Sequence, residues 1–293
     1  MCAYFSVPIP WSQVLKRTIW EIGNDNCFGL AAQLAFYFLL ALFPALLFMV
    51  ALIGYLPVEN AIHELLLALA TVAPHELVAL LREQLAQITA ASNASLLTLG
   101  ILGALWSSSS AMVAIIDALN RAYDVTEWRP WWKRRLVAIC LTVSLVLFIV
   151  VSLALVLIGP TMAFSVAYWL RVGPAVALVW GLIRWPLIVC CVVLAMDLVY
   201  HFAPNRRRRW SWITPGSILA TVLWIASSLA FKLYVTSFAD YTATYGAIGG
   251  AIVTMLWFYV SSIAILIGAE LNGVIEETTR SLGASQRVSR PRS

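Results

Sequence analysis

The chain has 293 residues, of which 62% are hydrophobic and 11% charged, with a formal net charge of +5. Soluble domains carry about 25% charged residues, so a water-exposed globule is excluded and the apolar surface calls for a bilayer. Within lipid the backbone must satisfy its own hydrogen bonds, and long unbroken apolar runs, rather than short alternating segments, select helices over a barrel.

In chain order, Met1 to Pro10 lack a basic start, an apolar stretch and a small-residue cleavage site, so no signal peptide is expected. Trp11 to Ile22 places Trp11, Val14, Leu15, Thr18, Ile19 and Ile22 on one stripe, which predicts an amphipathic helix lying in the membrane interface. Residues 1–29 thus form a cytoplasmic N-terminal segment. Six apolar runs follow, each near the ~20 residues a helix needs to cross the hydrocarbon core: about 30–56, 95–116, 136–158, 174–200, 213–238 and 247–269. Between the first two lies an acidic stretch, 57–94, with Leu77, Leu81, Leu85 and Ile88 at helical spacing. It predicts short helices in an external loop, packed on the bundle mouth or acting as a lid. The membrane domain closes at about residue 272, and 273–293 is a basic tail.

Fifteen of the nineteen Lys and Arg residues fall before the first run, between runs two and three, between runs four and five, and in the tail. Alternate connections therefore share one basic side. The positive-inside rule makes that side cytoplasmic, with both termini inside. The fold expected is an all-α integral membrane protein with six transmembrane helices. Cysteines are scattered without a C-x-x-C pair and the three histidines are isolated, so no metal or other cofactor is expected.

Ionisable groups at membrane depth are the first functional candidates, since each costs a few kcal/mol even on the milder insertion scale. Arg184 lies near mid-depth of the fourth run, followed by Pro186, which removes a backbone donor. One reading makes Arg184, with Ser107, Ser108 and Ser109 of the second run, an anion or substrate site. The other has Arg184 bonded to those serine hydroxyls or to carbonyls, holding the bundle together. A second group of polar residues, Gln33, Tyr37, Asn120, Tyr123, Asp197, Glu270 and Asn272, collects at the basic ends of the runs with Asp117. It is either an inward-facing vestibule or a hydrogen-bonded clasp between helix ends. Asp197 and His201, four apart, share a helix face. Lys232 near an outer boundary suits snorkelling. Gly246, Gly249 and Gly250 offer a small-residue packing face, which leaves room for a homo-oligomer. Arg206 to Arg209, flanked by Trp210 and Trp212, suit anionic lipid headgroups, and no nucleic-acid fold accompanies them.

Several motifs recur in a recognisable order: Ala32-Gln33-x-Ala35-Phe36-Tyr37 with Ala41-Leu42-Phe43-Pro44; Trp106-Ser107-Ser108 leading to Ala118-Leu119-Asn120-Arg121-Ala122-Tyr123; Tyr200-His201-Phe202-Ala203-Pro204-Asn205; Pro215-Gly216; Tyr245-Gly246-Ala247-Ile248-Gly249; Trp257-x-Tyr259; and Gly268-Ala269-Glu270-Leu271-Asn272. From about Trp11 to Asn272 the chain resembles the YihY/BrkB family of bacterial inner-membrane proteins. The resemblance implies a six-helix membrane protein of a class described as virulence factors, as transporters, or under the label ribonuclease BN. No H-x-H cluster, paired catalytic carboxylates or Ser/His/Asp set stands in the sequence, so a non-enzyme is expected and the nuclease label is set aside. The leading expectation is a transporter or a lipid- or anion-handling protein of the envelope. The alternative is a non-transporting structural or partner-binding protein.

Overall fold

The computed structural model describes residues 10–54, 94–157, 175–206, 213–237 and 239–288. Its described elements are all helices: α1 (Trp11–Asn24), α2 (Cys27–Gly54), α3 (Ala94–Ala122), α4 (Trp131–Leu157), α5 (Ala175–Phe202), α6 (Pro215–Ser237) and α7 (Ala239–Val288). The predicted stretch 57–94 lies almost wholly outside the described residues.

Uninterrupted Leu, Ile, Val, Ala and Phe make these segments helical and apolar together. Five of them, α3 to α7, are each long and apolar enough to cross a membrane, and α2 reaches that standard together with α1 across a 63° bend. The bend falls where Asn26 takes a left-handed φ of 51°, a conformation that Asn tolerates better than most side chains. Pro44 and Pro186 lie inside α2 and α5, which continue through them.

The helices pack as a closed ring in which α2 neighbours α3, then α4, α5, α6 and α7, with α7 returning to α2. Helix α1 lies on α7, seated by Val14 against Leu271, Val274 and Ile275 and by an Arg17–Glu277 ion pair at 2.6 Å. Its other apolar residues, Trp11, Leu15 and Ile19, stay exposed beside this seat, as an interfacial helix requires. The main apolar core gathers Leu30, Leu34, Ile116, Leu119, Leu141, Val199, Tyr200 and Leu266. It sits at the end of the ring where the basic connections lie, called here the Arg-rich end. Towards the opposite end, Leu182, Leu229 and Leu233 are exposed, the outward apolar surface that lipid would cover.

The close approach in this ring is between α6 and α7. A Cβ on Gly216 or on Gly268 would fall onto the other's carbonyl oxygen, so only glycine lets the two backbones meet there. This differs from the expected packing face of Gly246, Gly249 and Gly250. A Cβ on Gly250 would meet nothing within 4 Å, Gly249 is buried in α7, and the surroundings of Gly246 lie outside the described residues. On α7 the contact-making Gly268 lies about five turns beyond Gly250, nearer the Arg-rich end, where the core is dense.

Candidate functional site

Two hydrogen-bonded networks tie the helix ends together at the Arg-rich end. In the first, Asn120 at the end of α3 donates from Nδ2 to Glu127 at 2.9 Å and accepts at Oδ1 from the Asn205 backbone N–H at 2.8 Å. Asn205 donates in turn to the Thr126 carbonyl at 3.1 Å. Arg129 grips Glu127 through Nε at 2.9 Å and Nη2 at 2.7 Å, and reaches the Ala203 carbonyl at 2.7 Å. The α3–α4 connection is thus stapled to the end of α5. Burial alone would raise the Glu127 carboxyl, but the bonds from Arg129 and Asn120 outweigh it and hold the group below the ordinary carboxylate range.

In the second network, Asn272, fully buried in α7, accepts from the Gly216 N–H at 2.9 Å and donates to Thr214 Oγ1 at 3.0 Å. Thr214 Oγ1 donates to Asp197 of α5 at 2.6 Å, while Asp197 Oδ2 is buried with no hydrogen-bond partner. Three helix ends, α5, α6 and α7, meet on one threonine hydroxyl. Tyr200 adds a bond from its hydroxyl to the Ile265 carbonyl at 2.6 Å.

Beside these networks a cavity of about 100 Å³ opens between the α1–α2 corner, the end of α3 and α7, with Glu21, Tyr123, Asp124, Arg206, Glu270 and Glu276 among its walls. Arg206 pairs with Glu276 and stacks on the Tyr123 ring at 3.6 Å. The buried Tyr123 hydroxyl makes no hydrogen bond of ordinary geometry, although Asn272 and Arg206 lie within electrostatic reach of it. Burial pushes its phenol well up. Glu270, 2% exposed, accepts from the Cys27 thiol at 3.2 Å. Burial and the nearby Asp124 also push up the carboxyl of Asp25, and burial with Asp25 and Asp124 pushes up Glu21.

Of the predicted polar group, Asn120, Tyr123, Asp197, Glu270 and Asn272 come together at this end. Gln33 and Tyr37 do not join them: Gln33 is exposed on α2, and Tyr37 is half-buried with its ring against Phe36. Asp117 pairs with Arg134 of α4.

Arg184 and the serine run do not meet. Ser108 and Ser109 donate back to Leu105 and Trp106 carbonyls of their own helix at 3.2 and 2.8 Å, and Ser107 is exposed. The cation that takes the run is Arg135, which donates to Ser110 Oγ at 3.2 Å and to the Trp106 carbonyl, and stacks on the Trp106 ring at 4.2 Å. The reason is topological: α3 neighbours α4, while α5 stands one place further round the ring. Arg184 has the Trp185 ring at 5.4 Å, and its Nε is buried without a hydrogen-bond partner. Trp180 Nε1, one turn earlier, and Ser228 Oγ on α6 are orphaned in the same way. Sequence reading missed Glu127, Arg129, Thr214, Ser217 and Arg135. The Glu127-x-Arg129 and Thr214-x-x-Ser217 spacings were local signals, the second a cap in which Ser217 Oγ donates to the Thr214 carbonyl at 2.8 Å; the bonds of Thr214 to Asp197 and Asn272, and those of Arg135, reach partners far away in the chain. Among the described residues no group of three His, Cys, Asp or Glu side chains is placed to hold a metal ion.

The family model described as Virulence factor BrkB matches residues 18–291. The chain is 38% identical to a ribonuclease-like protein, YfkH, of Bacillus subtilis (strain 168), across 84% of this chain and 89% of that one. It is 28% identical to a UPF0761 membrane protein of Aeromonas salmonicida (strain A449), covering 87% of this chain and 86% of the relative. Against the UPF0761 membrane protein RSc1559 of Ralstonia nicotianae it is 27% identical, covering 90% of this chain but 59% of the relative. No solved structure matches the chain. The expectation of a non-enzyme is corrected by the first of these relatives: a protein this similar over nearly its whole length carries a ribonuclease-like name, so scattered histidines are no ground for excluding enzymatic activity. With the family model covering most of its length and its helices fit to span a bilayer, this polytopic membrane protein belongs to the virulence factor BrkB family.

Proposed function

We propose that the protein is a transport-type component of the bacterial inner membrane that handles an anionic amphiphile, a lipid or a similar molecule, with Arg184 as its charge partner. The observation that carries this reading is the buried Arg184 Nε with no hydrogen-bond partner, in a side chain that forms no ion pair among the described residues. A guanidinium in such a place is expensive unless something anionic completes it.

Register supports the same zone as a site. The Asp197–Thr214 bond pins α5 to α6. Arg184 lies thirteen residues back along α5 and Ser228 fourteen forward along α6, so both stand ~20 Å from that bond at helical rise. Trp180, Arg184 and Ser228 therefore offer three unpartnered polar groups within about one helical turn of depth. The face of α5 that turns inward at Asp197 and Tyr200 carries Leu182 and Val189 higher up, and these are 80% and 40% exposed. The ring is filled at the Arg-rich end and more open at the other, which suits entry from one side or from lipid. Arg206 is committed to Glu276 and Tyr123, so headgroup attraction to this connection would rest on Arg207 to Arg209, which lie outside the described residues.

In proteoliposomes loaded with a fluorescent anionic phospholipid, Arg184→Leu should abolish movement between leaflets, with Arg184→Lys retaining part of it. Equal rates for wild type and Arg184→Leu would sink the proposal. A second reading, a partner-binding envelope protein, is favoured by the two networks at the Arg-rich end. It predicts that Arg184→Leu leaves lipid movement at the level of protein-free vesicles, as in wild type.

A further inference from the structure

We propose that the outward groove between α3 and α4 is a binding site for an anionic phospholipid of the leaflet at the Arg-rich end, with Arg135 as the group that holds its phosphate. The site is separate from Arg184 and needs no transport.

Arg134 and Arg135 are neighbours on α4 but reach in opposite directions along α3. Arg134 pairs with Asp117, near the Arg-rich end of that helix. Arg135 donates to Ser110 Oγ at 3.2 Å and to the Trp106 carbonyl, which stand seven and eleven residues before Asp117, ~10 and ~16 Å deeper at helical rise. An arginine near the end of a span ordinarily snorkels towards water. Here the guanidinium is drawn towards the bilayer interior instead. All its partners are neutral: a hydroxyl, a carbonyl and the Trp106 ring at 4.2 Å. No Asp or Glu makes an ion pair with Arg135 among the described residues, and its Nε is buried without a hydrogen-bond partner. A charge held within lipid without a counter-ion is unfavourable by several kcal/mol on any scale, and an anion at this place relieves it.

The surroundings of the guanidinium suit acyl chains. On α3, Leu102 and Trp106 stand one turn apart and are 57% and 54% exposed, and Ser110 continues their line half-buried. Helical spacing puts the core residues Met112, Ile115 and Leu119 on the other side of that helix. On α4, Leu136, Val143 and Leu147 form an exposed stripe, while Ala138 and Leu141 turn to the core. The two helices are neighbours in the ring, so two apolar stripes facing away from the core flank Arg135.

Charge at the mouth of the groove points to the same occupant. Lys133 lies over the Trp132 ring at 5.3 Å, and Trp128, Trp131 and Trp132 are exposed at the start of α4, where aromatic side chains meet headgroups. Lys133, Arg134 and Arg135 face one carboxylate, Asp117, which Arg134 already takes. Basic pockets of this kind between membrane helices attract anionic headgroups. Guanidinium binds phosphate oxygens through parallel N–H bonds, and the free Nε–H of Arg135 is one such donor. Because the groove faces hydrocarbon, an anion that carries its own acyl chains fits it, whereas a free phosphate would have to leave water to reach it.

The test titrates the full-length protein in detergent micelles with phosphatidylglycerol or phosphatidylcholine and counts bound lipid by native mass spectrometry. Wild type should bind its first phosphatidylglycerol more tightly than phosphatidylcholine. Arg135→Gln should weaken phosphatidylglycerol binding about fivefold and leave phosphatidylcholine binding unchanged. Glycerol phosphate, which offers a phosphate without acyl chains, should not displace the lipid. Should Arg135→Gln fail to fold, a benzophenone side chain in place of Leu136 in otherwise wild-type protein should cross-link phosphatidylglycerol in preference to phosphatidylcholine from nanodiscs holding both in equal amounts. Equal affinity of wild type and Arg135→Gln for phosphatidylglycerol, displacement by glycerol phosphate, or equal cross-linking of the two lipids overturns the proposal. None of these readouts follows lipid movement, so the Arg184 reading and this one can fail separately.

Discussion

Asn272 shows how one amide organises three helices. Its carbonyl satisfies the Gly216 N–H, one of the orphan donors at the start of α6, and its amino group completes the threonine hydroxyl that Asp197 also uses. Asn272→Ala leaves a buried donor and acceptor unmatched, a loss of about 1–3 kcal/mol. A lowered unfolding midpoint in detergent would register it, and an unchanged midpoint would show that water replaces the amide. Glu127 makes a pH-dependent contribution. Its carboxyl ionises more readily folded than unfolded, so it stabilises the fold above its ordinary value of 4.5 and that stability is lost as pH falls through and below it. Glu127→Gln should flatten the acid limb of the stability profile, seen by following unfolding from about pH 7 down to about pH 3.

At the level of elements, the α6–α7 crossing decides how tightly the ring can close. Gly268 meets the Gly216 backbone, Tyr200 Oη and Ala220 Cβ, so a side chain there has no rigid neighbour able to yield. Gly268→Val should cost more than the ~1–3 kcal/mol of ordinary overpacking, because backbone rather than a flexible side chain must move. Reduced yield and a lower midpoint would follow, whereas the same change at Gly250, with open space around its Cβ, should be tolerated. Comparing the two variants by size-exclusion profile checks the difference. Helix α1 is a weaker element. Only Val14 and Thr18 are buried in it, and its exposed Trp11, Leu15 and Ile19 need the bilayer surface to be satisfied.

For the whole molecule, the ring order explains which side chains can serve one another. Neighbouring helices share cations and carbonyls, as α3 and α4 do through Arg134–Asp117 and Arg135–Ser110. Helices across the ring meet at the Arg-rich end, where the core is packed. By the positive-inside rule we propose that this end faces the cytoplasm. A cysteine at position 16 or 280, in a background without native cysteines, should resist a membrane-impermeant maleimide in intact cells and react in inverted vesicles. Labelling from outside would reverse the orientation.

The amino-acid sequence by itself determined the class, the number of apolar runs, and the basic-acidic alternation of the connections, because lipid imposes length and hydropathy on each segment separately. It also placed Asn120, Tyr123, Asp197, Glu270 and Asn272 at one depth, since depth follows from counting residues along a helix. Which partner each of them takes was decided by tertiary structure alone. Asp197 turns to Thr214, the serine run to Arg135, and Glu270 to Cys27, while Gln33 is left outside. Rotation of each helix about its axis and its place in the ring set those pairings. Both arise from packing between segments far apart in sequence, such as Gly216 against Gly268, which no local periodicity encodes.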